Sequence, residues 1–476
     1  MTAFLKKGIA SLLLLLLLPV TLLLIGFLTP TQYGDTFLGE LEVKYKRLCE
    51  IDGPKIVLIG GSSVAFGYDT KLMEEHLGMP VVNFGLYASL GTKVMLDLSE
   101  DAIGEGDVIV LAPETDPQTL SLYFSGESFW QAADSDFSML RGVSSENVDS
   151  LVGSYWGFLS QKLYFLKNGA PNPEGVYNKA SFDERGDMVF ERPHNVMLLG
   201  YDKGLTVSLD PSIVDGEFID YVNAYIERVE KKGAKVYFSF PPINESALAP
   251  ETDEETLFSF FDFLSRSLDC EVITNPEKCI LEKGYFYDSN FHLNDSGVIV
   301  RTATMIEDLY RVLGMQKTVT LELPPAPEIP PINYGDPSDT SLSLDAACFT
   351  YTEIDGALLV SGLTDEGKAR DSLMIPAFAD EKPVVGIAEY AFQDAEQLSE
   401  IIVNGNIKEL ANKAFAKCDT LRRVYLTMSA ETILVSTDGL FDETSDALRI
   451  CVSAEHFGSY MTDYFWANYV SRIERE

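Results

Sequence analysis

From about residue 54 to 315, short apolar runs alternate with longer stretches in which apolar residues recur every three or four positions. "KIVLIG" (55–60), "VIVLAP" (108–113) and "KVYFSF" (235–240) have the length and β-branched content of buried strands. "FIDYVNAYIERVEKKG" (218–233) has the period of an amphipathic helix and closes on Gly233. Such alternation predicts an α/β fold, a doubly wound parallel sheet flanked by helices.

Residues 120–210 break this rhythm with an aromatic-rich stretch containing Phe129, Trp130, Tyr155, Trp156 and Tyr164. It reads as an insertion over one end of the sheet, because loops at the carboxyl ends of strands build the sites of open α/β folds. Packing into the core explains many of these aromatics equally well. The α/β domain is thus assigned to 31–317. The proline-rich "LPPAPEIPPINYGDPSDTS" (323–341) marks an extended spacer, placed at 318–344.

Beyond the spacer a repeat appears over 345–476. "IAEYAFQDAEQLSEIIV" (387–403) realigns with "LANKAFAKCDTLRRVYL" (410–426), so that Ala391 meets Ala414, Phe392 meets Phe415, Leu398 meets Leu421 and Ile401 meets Val424. A fixed period of this size means stacked units that share one core. Cys418 falls on an inward repeat position opposite Ala395, which burial explains.

The segment 8–28, "GIASLLLLLLLPVTLLLIGFL", is uncharged and long enough for a bilayer core of ~30 Å. Lys6 and Lys7 precede it and acidic residues follow. That bias places the N-terminus in the cytoplasm and the rest outside, on a single-pass signal anchor spanning 1–30. A cleaved signal peptide is the alternative; no clear small-residue cleavage site follows the run.

With 73 acidic against 36 basic side chains the net charge is −37, which excludes a nucleic-acid binder. Six cysteines are too few for a disulfide scaffold; Cys270 and Cys279 either pair in an oxidising exterior or stand as separate thiols. No cluster has the spacing of a metal site, and no glycine-rich turn has the pattern of a dinucleotide or phosphate loop, so no cofactor is expected.

The chemistry concentrates at "VLIGGSSVAFGYD" (57–69), where a strand-like run breaks into glycines and paired serines. A serine on a tight strand-to-helix turn holds its hydroxyl clear of the sheet, and neighbouring glycines let the backbone turn and a substrate approach. Far downstream, "YDSNFHLNDSGVIVRT" (287–302) places Asp288 and His292 just before a helix. A neutral imidazole suits the removal of a serine proton, and a nearby carboxylate orients it. The other histidines, His76, His194 and His456, lie in a helical pattern, in the insertion and in the repeats.

"GGSSVAFG", "NFGLYAS" (83–89) and "DSNFHLN" together resemble the SGNH (GDSL-like) hydrolase superfamily over roughly 54–315, and more narrowly its membrane-anchored, extracytoplasmic branch acting on cell-envelope acyl groups. The resemblance implies Ser63 as nucleophile, since Gly61 precedes it by two and Gly67 follows by four. It implies Gly85 and Ser63 as backbone donors of an oxyanion hole, His292 as general base and Asp288 as its orienting acid, with Ser62, Glu114 and Asn290 as site neighbours. Two departures stand out. The third block reads Glu114, Thr115, Asp116 where an asparagine donor is usual, and a carboxylate there opposes a developing oxyanion. Asp288 also lies four residues before His292 rather than three. The C-terminal part resembles the BspA-like leucine-rich repeats, with a degenerate third copy around Leu440, Phe441 and Leu448.

The expected function is a serine esterase or O-acyltransferase acting on acyl groups, acetyl first among them, of a cell-envelope glycan or other acylated polymer, with a membrane O-acyltransferase as an acyl-supplying partner. Two alternatives remain open. One is an inactive relative that binds glycan, and the other an adhesion protein whose repeats bind a protein or glycan ligand.

Overall fold

The computed structural model describes residues 21, 24–173, 175–331, 333–339, 341, 344–393, 395–435, 439–463 and 465–476. Most of the apolar segment 8–28 lies outside the described residues, and among those described no helix is long and apolar enough to cross a membrane.

The N-terminal half is a mixed α/β layer structure. Strands β1 (Ile56–Gly60), β2 (Val81–Gly85), β3 (Val108–Leu111), β4 (Lys235–Phe238) and the edge strand Glu271–Val272 form one five-stranded sheet in the order β2, β1, β3, β4, edge. Every pairing in it is parallel.

Side chains alternate across a strand, and here both alternating sets are apolar. Val57, Ile59, Val82, Phe84, Ile109 and Leu111 feed one core, which is closed by the helices Thr92–Glu100, Gly216–Glu230 and Glu254–Ser267. Ile56, Leu58, Val81, Val108 and Val110 feed a second core, closed by Thr70–Leu77 and Asp295–Val312 through Met73, Leu77, Met305, Ile306 and Leu309. Each such side chain contributes roughly 1.5–3 kcal/mol by leaving water. The sheet therefore cannot be peeled from either face without losing a core. Asp215 caps the Gly216–Glu230 helix by accepting the Glu217 N–H, and Gly233, at φ +93°, lets the chain turn into β4.

In the C-terminal part the strands Ser372–Met374, Glu400–Val403, Arg423–Leu426, Arg449–Val452 and Ile473–Arg475 stack in chain order as a second five-stranded parallel sheet. Ile401 pairs with Val424 in that ladder. Phe392, Phe415 and Phe441 stack one above the next, with ring centroids 5.1 and 5.4 Å apart. Cys418 is buried and its Sγ donates to the Phe392 carbonyl at 2.8 Å.

The two halves touch. Lys203 Nζ meets Glu409 Oε1 at 3.0 Å, and Gly458 lies so close to the Asn172 backbone that a Cβ would overlap its carbonyl. The proline-rich segment is laid along both, with the Pro324 carbonyl accepting from Tyr285 Oη and the Tyr334 carbonyl from Asn406 Nδ2, each at 3.0 Å. Cys270 and Cys279 are separate thiols, which burial pushes up to about 12 and about 11.

Candidate active site

β1 ends at Gly60, Gly61 starts a turn, and Ser62–Ala65 make a single helical turn at the carboxyl edge of the sheet. The strand order reverses between β1 and β3, which is the crevice where open α/β sheets bind ligands. Ser63 is buried there, and its Oγ makes no hydrogen bond. Three glycines sit at close approaches, two of them against backbone. A Cβ on Gly67 would overlap the Ser63 carbonyl, one on Gly61 the Glu114 carboxyl, and one on Gly85 both Val64 and the Gly61 carbonyl.

Asn83 ties this turn to the end of β2. Its Nδ2 donates to the Val64 carbonyl at 3.0 Å and its Oδ1 accepts the Gly85 N–H at 3.3 Å. Behind it the fully buried Lys44 donates to Asn83 Oδ1 at 3.3 Å and to the Gly186 carbonyl at 2.6 Å, and burial pulls this amine down to about 8. The Gly85 N–H thus points into a side-chain network linking β2, the Ser62–Ala65 turn and the insertion.

Glu114, just past β3, comes to the same turn. Its Oε1 accepts the Ser63 N–H at 2.7 Å and the Ser62 hydroxyl at 3.3 Å. Its Oε2 is buried with no partner. Burial raises the carboxyl above the usual range, the Ser63 N–H bond opposes this, and the like charge of Asp116 adds to it. Among the described residues no basic side chain pairs with it. Burial thus favours the neutral acid over the carboxylate, and in either form Oε1 occupies the Ser63 N–H.

Asp288 and His292 meet across the turn that precedes the Asp295–Val312 helix: His292 Nδ1 lies 2.7 Å from Asp288 Oδ1. The other carboxylate oxygen accepts the Tyr177 hydroxyl at 2.8 Å. Burial, followed by the charge of Asp288, raises the Tyr177 phenol well above its ordinary value, so it stays a donor. The His292 ring stacks on Phe66 at 4.2 Å and 8°, and Phe66 ends the helical turn that carries Ser63. The Arg192 guanidinium lies 5.3 Å from the same Phe66 ring, with Asp295 as its ion partner at 3.5 Å.

The structure therefore brings Ser63, Ser62, Gly85 and Glu114 together, and pairs Asp288 with His292 one aromatic ring away. It does not join Ser63 Oγ to His292 by a hydrogen bond. Asn290 is not part of the cluster: its side chain is spent on the insertion, bonding the Asp202 N–H and carbonyl at 2.8 Å and the Leu205 carbonyl at 2.7 Å. His76 bonds Tyr310 at 3.0 Å. Among the described residues no group of His, Cys, Asp and Glu is arranged to hold a metal ion.

Sequence reasoning missed Tyr177, Phe66, Asn83 and Lys44. Phe66 and Asn83 lay inside the quoted motifs, whereas Tyr177 and Lys44 carried no local signal.

No family model matches the chain, and no curated protein matches it. Among solved structures it is similar in part to a leucine-rich repeat protein from Bacteroides capillosus, at 20% identity over 27% of this chain and 95% of that one, with a TM-score of 0.19. The repeat architecture described above rests on the strand ladder itself.

Proposed function

We propose that the chain is a membrane-anchored, extracytoplasmic serine esterase or O-acyltransferase of the SGNH (GDSL-like) kind, acting on acyl groups, acetyl first, of a cell-envelope glycan or other acylated polymer. The observation that carries the reading is the Tyr177–Asp288–His292 chain of hydrogen bonds, anchored on Phe66 beside a buried serine whose hydroxyl is unbonded. Asp288 and Tyr177 hold the imidazole with Nδ1 engaged, leaving Nε2 as the base.

In this mechanism Ser63 Oγ attacks the ester carbonyl carbon while its proton passes to His292 Nε2. Collapse of the tetrahedral adduct breaks the bond to the glycan oxygen, which leaves with that proton, and an acyl-Ser63 remains. Water, or a second sugar hydroxyl, then repeats the steps in reverse. The gap between Ser63 and His292 is compatible with this, because catalytic hydrogen bonds tighten on substrate binding. The BspA-like repeats supply a surface for a protein or glycan ligand, and a membrane O-acyltransferase supplies acyl groups if the enzyme is a transferase.

One observation favours a second reading. Glu114 occupies the Ser63 N–H, a donor an acyl oxyanion needs, as expected of a relative that binds glycan without turning it over. A fluorophosphonate probe separates the two. Labelling that maps to Ser63 and is lost in Ser63→Ala and His292→Ala supports the hydrolase; an unlabelled chain that still binds acylated glycan in all three forms supports the binder.

A further inference from the structure

The helix Val148–Asn168 buries one face through Leu151, Tyr155, Phe158, Leu159 and Phe165, while its exposed side carries a stripe of large apolar residues among a few polar ones. Val152 is 63% exposed, Trp156 51%, Leu163 45% and Leu166 46%. Over its whole length the helix has one acidic residue, Asp149, in a chain whose net charge is −37, and its last turn carries Lys167. Elsewhere the acidic surface keeps water and repels anionic lipid; this stripe does neither.

The same helix receives the end of the N-terminal apolar segment. Phe27 packs against Trp130, Phe137 and Tyr155, and Lys162 Nζ donates to the Gly26 carbonyl at 3.2 Å. On the outer side of that junction Leu24 is 48% exposed and Leu28 79%. The two leucines are four residues apart on one helical segment, so they share a face. Residues 8–23, before the junction, are uncharged and apolar.

We infer that the exposed face of Val148–Asn168, together with Leu24 and Leu28, lies on the lipid bilayer, seated in the interface at the point where the N-terminal segment enters it. The inference rests on the anchor reading above and is independent of the esterase chemistry. Aromatic and basic side chains at a membrane surface place an apolar body in the acyl boundary and a polar tip among headgroups, which Trp156 and Lys167 fit. The insertion then holds the catalytic layer at a fixed height above the bilayer. A substrate acylated close to the membrane is within reach and a distal one is not.

Tryptophan content makes this directly testable. The three tryptophans are Trp130, Trp156 and Trp466; the first and last are buried, so Trp156 is the one that lipid can reach. The full-length chain is reconstituted in phosphatidylcholine vesicles with or without acyl chains brominated near the headgroup, and flotation records whether it is membrane-bound. The expected result is co-flotation with Trp fluorescence reduced by roughly a quarter or more in brominated vesicles, and loss of that reduction in Trp156→Phe. A second variant, Val152→Glu with Leu163→Glu, should float but be quenched less. Flotation with equal quenching in wild type and Trp156→Phe overturns the inference while leaving the anchor standing. Failure to float overturns both. Protection of Trp156 from acrylamide in detergent and lipid alike, without bromine quenching, assigns the face to another part of the chain or a second copy and likewise overturns it.

Discussion

Glu114 Oε1 accepts the backbone N–H of Ser63 at 2.7 Å, which joins the segment just past β3 directly to the candidate nucleophile. A carboxyl in that position acts differently in its two protonation states. As a neutral acid it leaves no net charge beside a developing oxyanion; once ionised it opposes one.

Burial raises this carboxyl, so it is protonated at lower pH and ionises as pH rises through the raised value. On the esterase proposal, turnover by the wild type should therefore fall on the alkaline side, and Glu114→Gln, a neutral isostere, should lack that fall while turning over within about tenfold of wild type at its best pH. A p-nitrophenyl acetate pH–rate profile of both proteins checks it; the same alkaline limb in Glu114→Gln assigns the fall to another group.

Tyr177 gives a second expectation. Tyr177→Phe removes one hydrogen bond to a charged group, worth about 1.5–3 kcal/mol, without removing the aromatic packing on Phe37 and Phe66. p-Nitrophenyl acetate turnover should drop by about tenfold or more. Unchanged turnover would make Tyr177 a structural strut only.

A third concerns stability and pH. Asp187 accepts from the Thr70 N–H at 2.8 Å and the Thr70 hydroxyl at 2.7 Å, and burial raises it to about 6, against the pull of Lys44 and with Asp183 adding to the rise. A carboxyl raised on folding stabilises the native state below its unfolded value and loses that contribution as pH rises through the folded one. A displacement of about two units corresponds to about 3 kcal/mol. Asp187→Asn should flatten the decline in urea midpoint between about pH 4 and about pH 6. Glu40, which burial raises to about 7 against the pull of the same Lys44, keeps part of the slope.

In the repeats, Phe415 is fully buried between Phe392 and Phe441. Phe415→Ala should cost about 3–5 kcal/mol in chemical denaturation. Phe392→Ala made with it should add less than its own cost, because the two rings share a contact.

The parts of this arrangement that were legible in the sequence are those written in local pattern. β1, β3 and β4 were apolar runs of strand length because a parallel sheet covered on both faces demands them. The repeat offset placed Ile401 beside Val424 because stacked units convert sequence period into strand register. Tyr177 was not legible: its partner Asp288 is 111 residues away, and nothing in the insertion marks one tyrosine among many. Lys44 was hidden for the opposite reason, since a lysine in a helix reads as solvent-facing until the tertiary structure buries it. The long Val148–Asn168 helix was anticipated only as aromatic-rich because its exposed side is apolar too, which erases the amphipathic signal.

β1 splits its alternating side chains between two cores and hands the chain straight to Ser63. Mutational tolerance along the chain follows from that. Deleting one residue within 56–60 would send Val57 and Ile59 to the core built for Ile56 and Leu58, and would draw the serine back by roughly 3.3 Å, one strand step, from the Glu114 oxygen that now holds its N–H. Substitutions among Val, Ile and Leu there cost little by comparison. The lineage of such a chain should therefore record changes of identity in β1 but not changes of length, with additions and losses gathering in exposed turns such as 52–53, where the backbone is not committed to two cores at once.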